Sequence, residues 1–350
     1  MRVDSSSRGK KWALTILVLS LLLILAAIVS AAVGPADIAA VDVAQMILHH
    51  LLGMDDQLNK WPMSHKMIVF QVRLPRIVLA VIVGGGLAMA GATYQGLLQN
   101  SMADPYIIGV SAGASVGATI GILLRNKYFA FGLSVVTLLA FVGAVLTIFL
   151  VYNIARVGGR VPIGTLLLAG VAVSSFFSAI VSFLMVVANQ SMPEIVYWMM
   201  GSLSGRSWNH VKASLPYLAL GGLVVIFYSR ELNILLVGEE TAQNLGVNVE
   251  RVKAILLIAG SLMAAAAVSV SGVIGFVGLI IPHSVRIITG PDHRILLPAS
   301  GLVGAIFLVI ADTAARTILA PAELPVGVIT AIAGAPFFIY LLRRQKQSRY

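Results

Sequence analysis

Apolar runs of about 20 residues recur from Trp12 to the C-terminal tail, the length a helix needs to cross the hydrocarbon core of a bilayer. Inside a membrane each backbone amide must find its partner within the protein, so runs of this length predict helices. They are too long and too numerous for the alternating strands of about ten residues that build a barrel. Charged residues make up only 11% of the 350, less than half of the roughly 25% typical of a soluble domain, and hydrophobic residues make up 59%. The chain therefore reads as an all-α, polytopic membrane protein of about ten transmembrane helices, with residues 1–350 forming a single transmembrane domain.

The expected spans are 12–33, 75–98, 105–124, 129–154, 162–188, 212–229, 254–271, 273–289, 295–314 and 325–342. An even number places both ends on one side. Arg2, Arg8, Lys10 and Lys11 at one end, and Arg343, Arg344, Lys346 and Arg349 at the other, make that side cytoplasmic. The first run follows a basic segment and ends in small residues, as a secretory signal does. At 22 residues, Trp12–Val33 is longer than the roughly 7–15 of a signal core, so it is expected to stay as the first span. The formal charge of +10 does not point to nucleic acid, because the basic residues cluster at the termini and in short loops. Cysteine is absent, which excludes disulfides, thiolate metal sites and cysteine nucleophiles.

Two charged islands interrupt the apolar text. Residues 34–74, with Asp37, Asp42, Asp55 and Asp56, fall outside in this topology, and Val41, Ala44, Met46, Ile47 and Leu48 predict a surface helix there. Residues 230–253 fall on the cytoplasmic side. Glu239 and Glu240 suit a helix N-terminus, Ala242, Leu245 and Val249 follow at i, i+3 and i+7, and Gly246 offers a stop. A helix too short to span, with an apolar face, needs a partner to cover it. The segment 189–211 is too polar for a span, and its apolar Ile195–Met200 predicts a short helix near the outer face. Asp104 and Asp292 each precede a span, with small and apolar residues echoing at matching offsets after them, a faint internal repeat.

Gly109, Gly113, Gly117 and Gly121 recur every fourth residue and predict close helix packing. Gly272, Gly275 and Gly278 loosen the chain ahead of Pro282 and His283. The six histidines show no metal-ligand spacing, no Ser/His/Asp constellation is visible, and no site for catalysis, cofactor or metal is assigned. The spans lack a carboxylate at mid-depth, which argues against a proton- or sodium-driven carrier; Asp312 and Glu323 are placed at outer helix ends, solvated at the interface. There is no GxxxxGK[ST] loop, so any ATP and Mg must be held by another subunit.

The arginines of RLPR, Arg73 and Arg76, lie on the outer side against the positive-inside bias. Pro75 fits a first helical turn, which would set Arg76 at the positive end of the dipole at a cost of roughly 0.3–1 kcal/mol. Arg316 ends the ninth span on the same side. Snorkelling to lipid phosphate would explain them, as would a docking site for carboxylates, which guanidinium forks grip well.

RLPRIVLAVIVGGGLAMAGATYQGLLQN, ADPYIIGVSAGA, LLLAGVA, YWMMGSLSG, GEETAQNLGV, GVIGFVGLIIPHSVR, DHRILLPAS, ADTAAR and AELPVGVITAIAGAPFFIYLL run in that order from about residue 70 to the C-terminus. In these blocks the chain resembles the FecCD family of ABC importer permeases, which take up iron-siderophores, haem and cobalamin. The resemblance implies the type II ABC importer permease fold in the cytoplasmic membrane of a prokaryote. It further implies a second permease subunit (a homodimer or a pseudo-symmetric heterodimer), two ABC ATPase subunits and an extracytoplasmic substrate-binding protein, with lipid around the spans and no nucleic acid.

By the same resemblance, Gly238, Glu239, Glu240, Ala242, Leu245, Gly246 and Val247 belong to the helices that enter the ATPase. Arg73, Arg76 and Arg316 match arginines that receive the binding protein's acidic residues in the cobalamin importer. Val161, Pro162, Ile163, Gly164 and Thr165 match its cytoplasmic gate, although Pro162 and Ile163 are apolar where that importer has hydroxyls. Ser174, Ser175 and Ser178 are candidates for lining the cavity at the dimer axis. Iron-siderophore is the first choice of cargo, with cobalamin and haem as alternatives. An ion-coupled carrier and a membrane enzyme are the rivals from other classes.

Overall fold

The computed structural model describes the chain except residues 1–4, 35, 37, 55–58, 125–128, 131–132, 159–160 and 348–350. The expected charges Arg2, Asp37, Asp55, Asp56 and Arg349 lie outside the described residues. In chain order the helices are α1 (Ser5–Ala32), α2 (Ala40–Leu51), α3 (Met63–Met67), α4 (Leu74–Leu97), α5 (Val110–Leu123), α6 (Val135–Ala155), α7 (Ile163–Val187) and α8 (Met192–Met199). They continue as α9 (Trp208–Phe227), α10 (Ser229–Leu235), α11 (Glu239–Asn244), α12 (Val249–Ser271), α13 (Val277–Thr289), α14 (His293–Thr317) and α15 (Val326–Gln347).

Among the described residues, seven helical runs are long and apolar enough to cross a membrane: Arg8–Ala32, Met63–Leu97, Val135–Ala155, Ile163–Val187, Trp208–Phe227, Val249–Ser271 and His293–Thr317. Two shorter apolar helices, Val110–Leu123 and Val277–Thr289, and the apolar part of α15, Val326–Tyr340, stand where the other three spans were expected. The late starts of α5 and α13 each have a local cause. Pro105 opens a 3-10 turn that ends at Gly109, whose φ of +83° breaks the axis before α5 begins. Gly272 at +69° stops α12, and the backbone stays irregular through Phe276 before α13. Ahead of α6 the expected helical start is a short antiparallel pair, Phe129–Ala130 with Leu133–Ser134. The expected outer surface helix is α2, and the short helix of segment 189–211 is α8.

A core of α4, α12 and α14 is wrapped by more exposed helices. Of the central window of α12, 78% is buried within this chain, against 17% for α7 and 6% for the first span. Helix α4 packs backbone to backbone on α13 and α14: a Cβ added at Gly91 would fall 1.8 Å from the carbonyl oxygen of Gly278, and one at Gly84 would fall 2.4 Å from that of Gly304. The glycine stripe of α5 does the same against α6, since a Cβ at Gly117 would lie 2.0 Å from Leu139 O. Asp104 and Asp292, the pair behind the faint repeat, serve alike as caps, one accepting from Tyr106 N–H and the other from Arg294 N–H.

Candidate functional site

The long α3–α4 run links two polar clusters at opposite ends of the bundle. At one end, π-helical turns over Ile68–Arg73 carry the chain directly into α4, and their wider winding accommodates Pro75, which has no N–H to give. Arg76 is consequently inside a continuous helix. The sequence expectation of a helix start, and of a dipole opposing Arg76, is corrected.

The three arginines are also buried, not exposed at a rim: Arg73 is 3%, Arg76 6% and Arg316 3% accessible. Arg73 donates to Ala31 O at 2.7 Å and Ala36 O at 2.8 Å. Arg316 donates to Ser30 O and, at 2.8 Å, to Ser30 Oγ. The last carbonyls of α1 have no helical partners of their own, so Arg73 and Arg316 close the end of that helix, where positive charge is favoured. Arg76 forks onto both carboxylate oxygens of Asp312, at 3.0 and 2.9 Å from Nε, and its Nη1 reaches Glu323 at 2.9 Å. Asp312 is 1% exposed, so it is not a solvated interfacial residue; burial leaves it dependent on Arg76. Ser30, Asp312 and Glu323 were not singled out as site residues, because their partners are distant in sequence.

At the other end, Gln99 Nε2 donates to Leu235 O at 2.7 Å, joining the foot of α4 to α10. Gly238, with φ +126°, turns the chain into α11, where Glu239 and Glu240 occupy the first turn. The expected apolar face divides. Ala242 is fully buried and Val249 buried, but the helix stops at Asn244, and Leu245 turns outward at 65% exposure ahead of Gly246 (φ +84°). Leu236 and Val237 are exposed beside it, and Val247 is half-buried with its N–H on Ala242 O. The loop thus presents apolar side chains outward from a covered base.

The segment matched to a gate lies beside this loop. Val161 is buried, and its N–H donates to Glu250 Oε2 at 3.4 Å. Pro162 precedes the first turn of α7, which Ile163, Gly164 and Thr165 begin. Lys253 Nζ sits 2.5 Å from Glu239 Oε1 and 3.9 Å from Glu250 Oε1. The Glu250–Lys253 spacing of i, i+3 is a readable signal for this cluster, whereas the sequence offers Glu239 as a first-turn residue and, by resemblance, as part of the coupling loop, not as a partner of Lys253. Ser175 and Ser178 are exposed on the open face of α7, and Ser174 lies next to Gly109.

A model of the FecCD transport family matches residues 22–344. This chain belongs to that family. Among its family relatives, the cobalamin import system permease protein BtuC of Halobacterium salinarum is 51% identical over 81% of this chain and 75% of its own. The hemin transport system permease protein HmuU of Yersinia pestis is 38% identical over 81% and 85%. The iron(3+)-hydroxamate permease FhuG of Bacillus subtilis is 38% identical over 80% and 84%. A solved chain described as a metal-chelate type ABC transporter in an inward-facing conformation superposes with a TM-score of 0.79 at 32% identity, covering 94% of this chain and 98% of that one. The chain is a multi-pass membrane permease with the fold of that metal-chelate type transporter.

Proposed function

We propose that this chain is the transmembrane subunit of an ABC importer for a large metal chelate, working as a dimer with two ATPase subunits and an extracytoplasmic binding protein. The observation that carries the reading is the family match across residues 22–344, together with the structural match over 94% of the chain. The orientation sets the loop end of the bundle, and both termini, in the cytoplasm. The exposed Leu236, Val237 and Leu245 form the surface that meets the ATPase, and ATP and Mg are bound there rather than in this chain. The open face of α7, with Leu168, Val171 and Phe176 exposed among its serines, faces the second permease subunit across the substrate cavity. The arginine end receives the binding protein. Three arginines against Asp312 and Glu323 leave that cluster one positive charge in excess, even with its forks occupied internally.

Within the chelate class, 51% identity to a cobalamin permease, against 38% to the hydroxamate and hemin permeases, moves the first choice from an iron-siderophore to cobalamin. The test is uptake into proteoliposomes containing this chain, its ATPase and its binding protein, with cobalamin, a ferric hydroxamate and hemin offered in turn. Uptake of one of the three that needs internal ATP and survives a protonophore is expected. Uptake that collapses with the proton gradient and ignores ATP would return the chain to the ion-coupled carriers.

A further inference from the structure

A lysine ammonium is buried at the loop end, where nothing in the transport scheme requires a charge. Lys253, in the second turn of α12, is 7% exposed, and a cation removed from water needs partners to remain charged. Its two carboxylate neighbours come from different elements: Glu239 begins α11 and Glu250 lies in the first turn of α12. Both sit where a helix dipole supports negative charge. Glu250 uses its second oxygen to accept the N–H of Val161, on the segment that enters α7. Pro162 follows and has no N–H, so Val161 supplies the last donor before the helix turns. One ammonium and one carboxylate thus connect three segments drawn from residues 161, 239 and 250–253.

We propose that Lys253 and Glu250 are positioning residues that tie α11 to the start of α7, so that displacement of α11 by the ATPase is passed to residues 161–165. The proposal rests on the importer reading and on the gate assignment. A purely structural ion pair would stabilise the loop without making the gate follow the nucleotide state of the motor. The link predicts that the two are coupled, and that breaking either contact separates them.

The test uses the assembled importer in lipid nanodiscs. Gly164→Cys serves as reporter, since this chain has no cysteine of its own and a Cβ at Gly164 meets nothing within 4 Å. Maleimide labelling of that cysteine is timed without nucleotide and after trapping with ATP and vanadate. The two rates should differ by at least about fivefold, the lower end of ordinary coupling between sites. Lys253→Met or Glu250→Met should each bring them to within about twofold, while ATPase recovery and hydrolysis are retained. Combining the two changes should do no further harm, and Lys253→Arg should keep the response. Full reporter response in both Lys253→Met and Glu250→Met overturns the link. If Lys253→Met fails to assemble, Glu250→Met decides alone, because it removes the acceptor of Val161 N–H and leaves the Lys253–Glu239 contact in place. A reporter that ignores nucleotide in an importer that still hydrolyses ATP overturns the gate assignment and the link with it. An assembly that neither binds an ATPase nor responds to ATP sinks the importer reading itself.

Discussion

Arg76 holds two carboxylates at once, and Asp312 has almost no access to water if that arginine is lost. Removing one member of a buried ion pair costs about 3–5 kcal/mol, whereas removing both can be nearly neutral. Arg76→Leu should therefore lower the thermal midpoint in detergent sharply, and Arg76→Leu with Asp312→Leu should recover much of it. Equal midpoints for the single and double variants would show that Asp312 does not depend on Arg76. Glu323 offers a gentler probe of docking, because its side chain is 24% exposed. Glu323→Gln adds to the positive excess and should tighten capture of the binding protein by up to about fivefold at low salt, an advantage that salt erases. No change at low salt would remove the cluster from the docking surface. The arginines were legible as an anomaly, since basic residues on the outer side defy the orientation bias. Their contacts were not, because Ser30, Asp312 and Glu323 meet them only through the packing of α1, α4, α14 and the connection from α14 to α15.

The loop helix shows how far periodicity reaches at the scale of an element. Its existence and start were readable from Glu239, Glu240 and Gly246, but the face was not, because α11 ends one residue before Leu245 and the i+3 position turns outward. Leu245→Glu should leave the permease folded and reduce the ATPase recovered with it, whereas Ala242→Glu should destabilise the permease itself. The reverse pattern, read by co-purification and thermal midpoint, would exchange the roles of the two residues. The interrupted spans follow the same lesson: the Pro105, Gly109 and Gly272 breaks were present in the text, yet apolar length alone ran through them. Asp292 caps α14, and hydrogen bonds from Arg294 hold its carboxyl down to about 2 from an ordinary 3.8. Lowered in the folded state, this group stabilises fully above about pH 3.8 and loses that contribution as pH falls through about 2. Wild type should lose thermal stability across that window faster than Asp292→Asn, which keeps a capping side chain but cannot titrate. Parallel acid profiles would show that Asp292 does not contribute there.

For the molecule as a whole, orientation is the most direct matter to measure. Single cysteines at Leu245 and Lys60, both exposed, should label from opposite sides of the membrane with an impermeant maleimide. Labelling from one side alone would break the ten-helix topology. The backbone contacts of the inner helices carry a different consequence, for how this sequence can vary. Gly91 faces Gly278, and Gly84 faces Gly304, with no space for even one carbon between them. In a saturation library selected for function, these positions should accept nothing but glycine, alanine included among the losses. Gly164, Gly205 and Gly275, each open to space, should differ. Gly205 alone of those three holds a positive φ, at +68°, so there asparagine should survive better than valine. The tolerated alphabet at each glycine would then record, position by position, where two helices touch and where the chain merely turns.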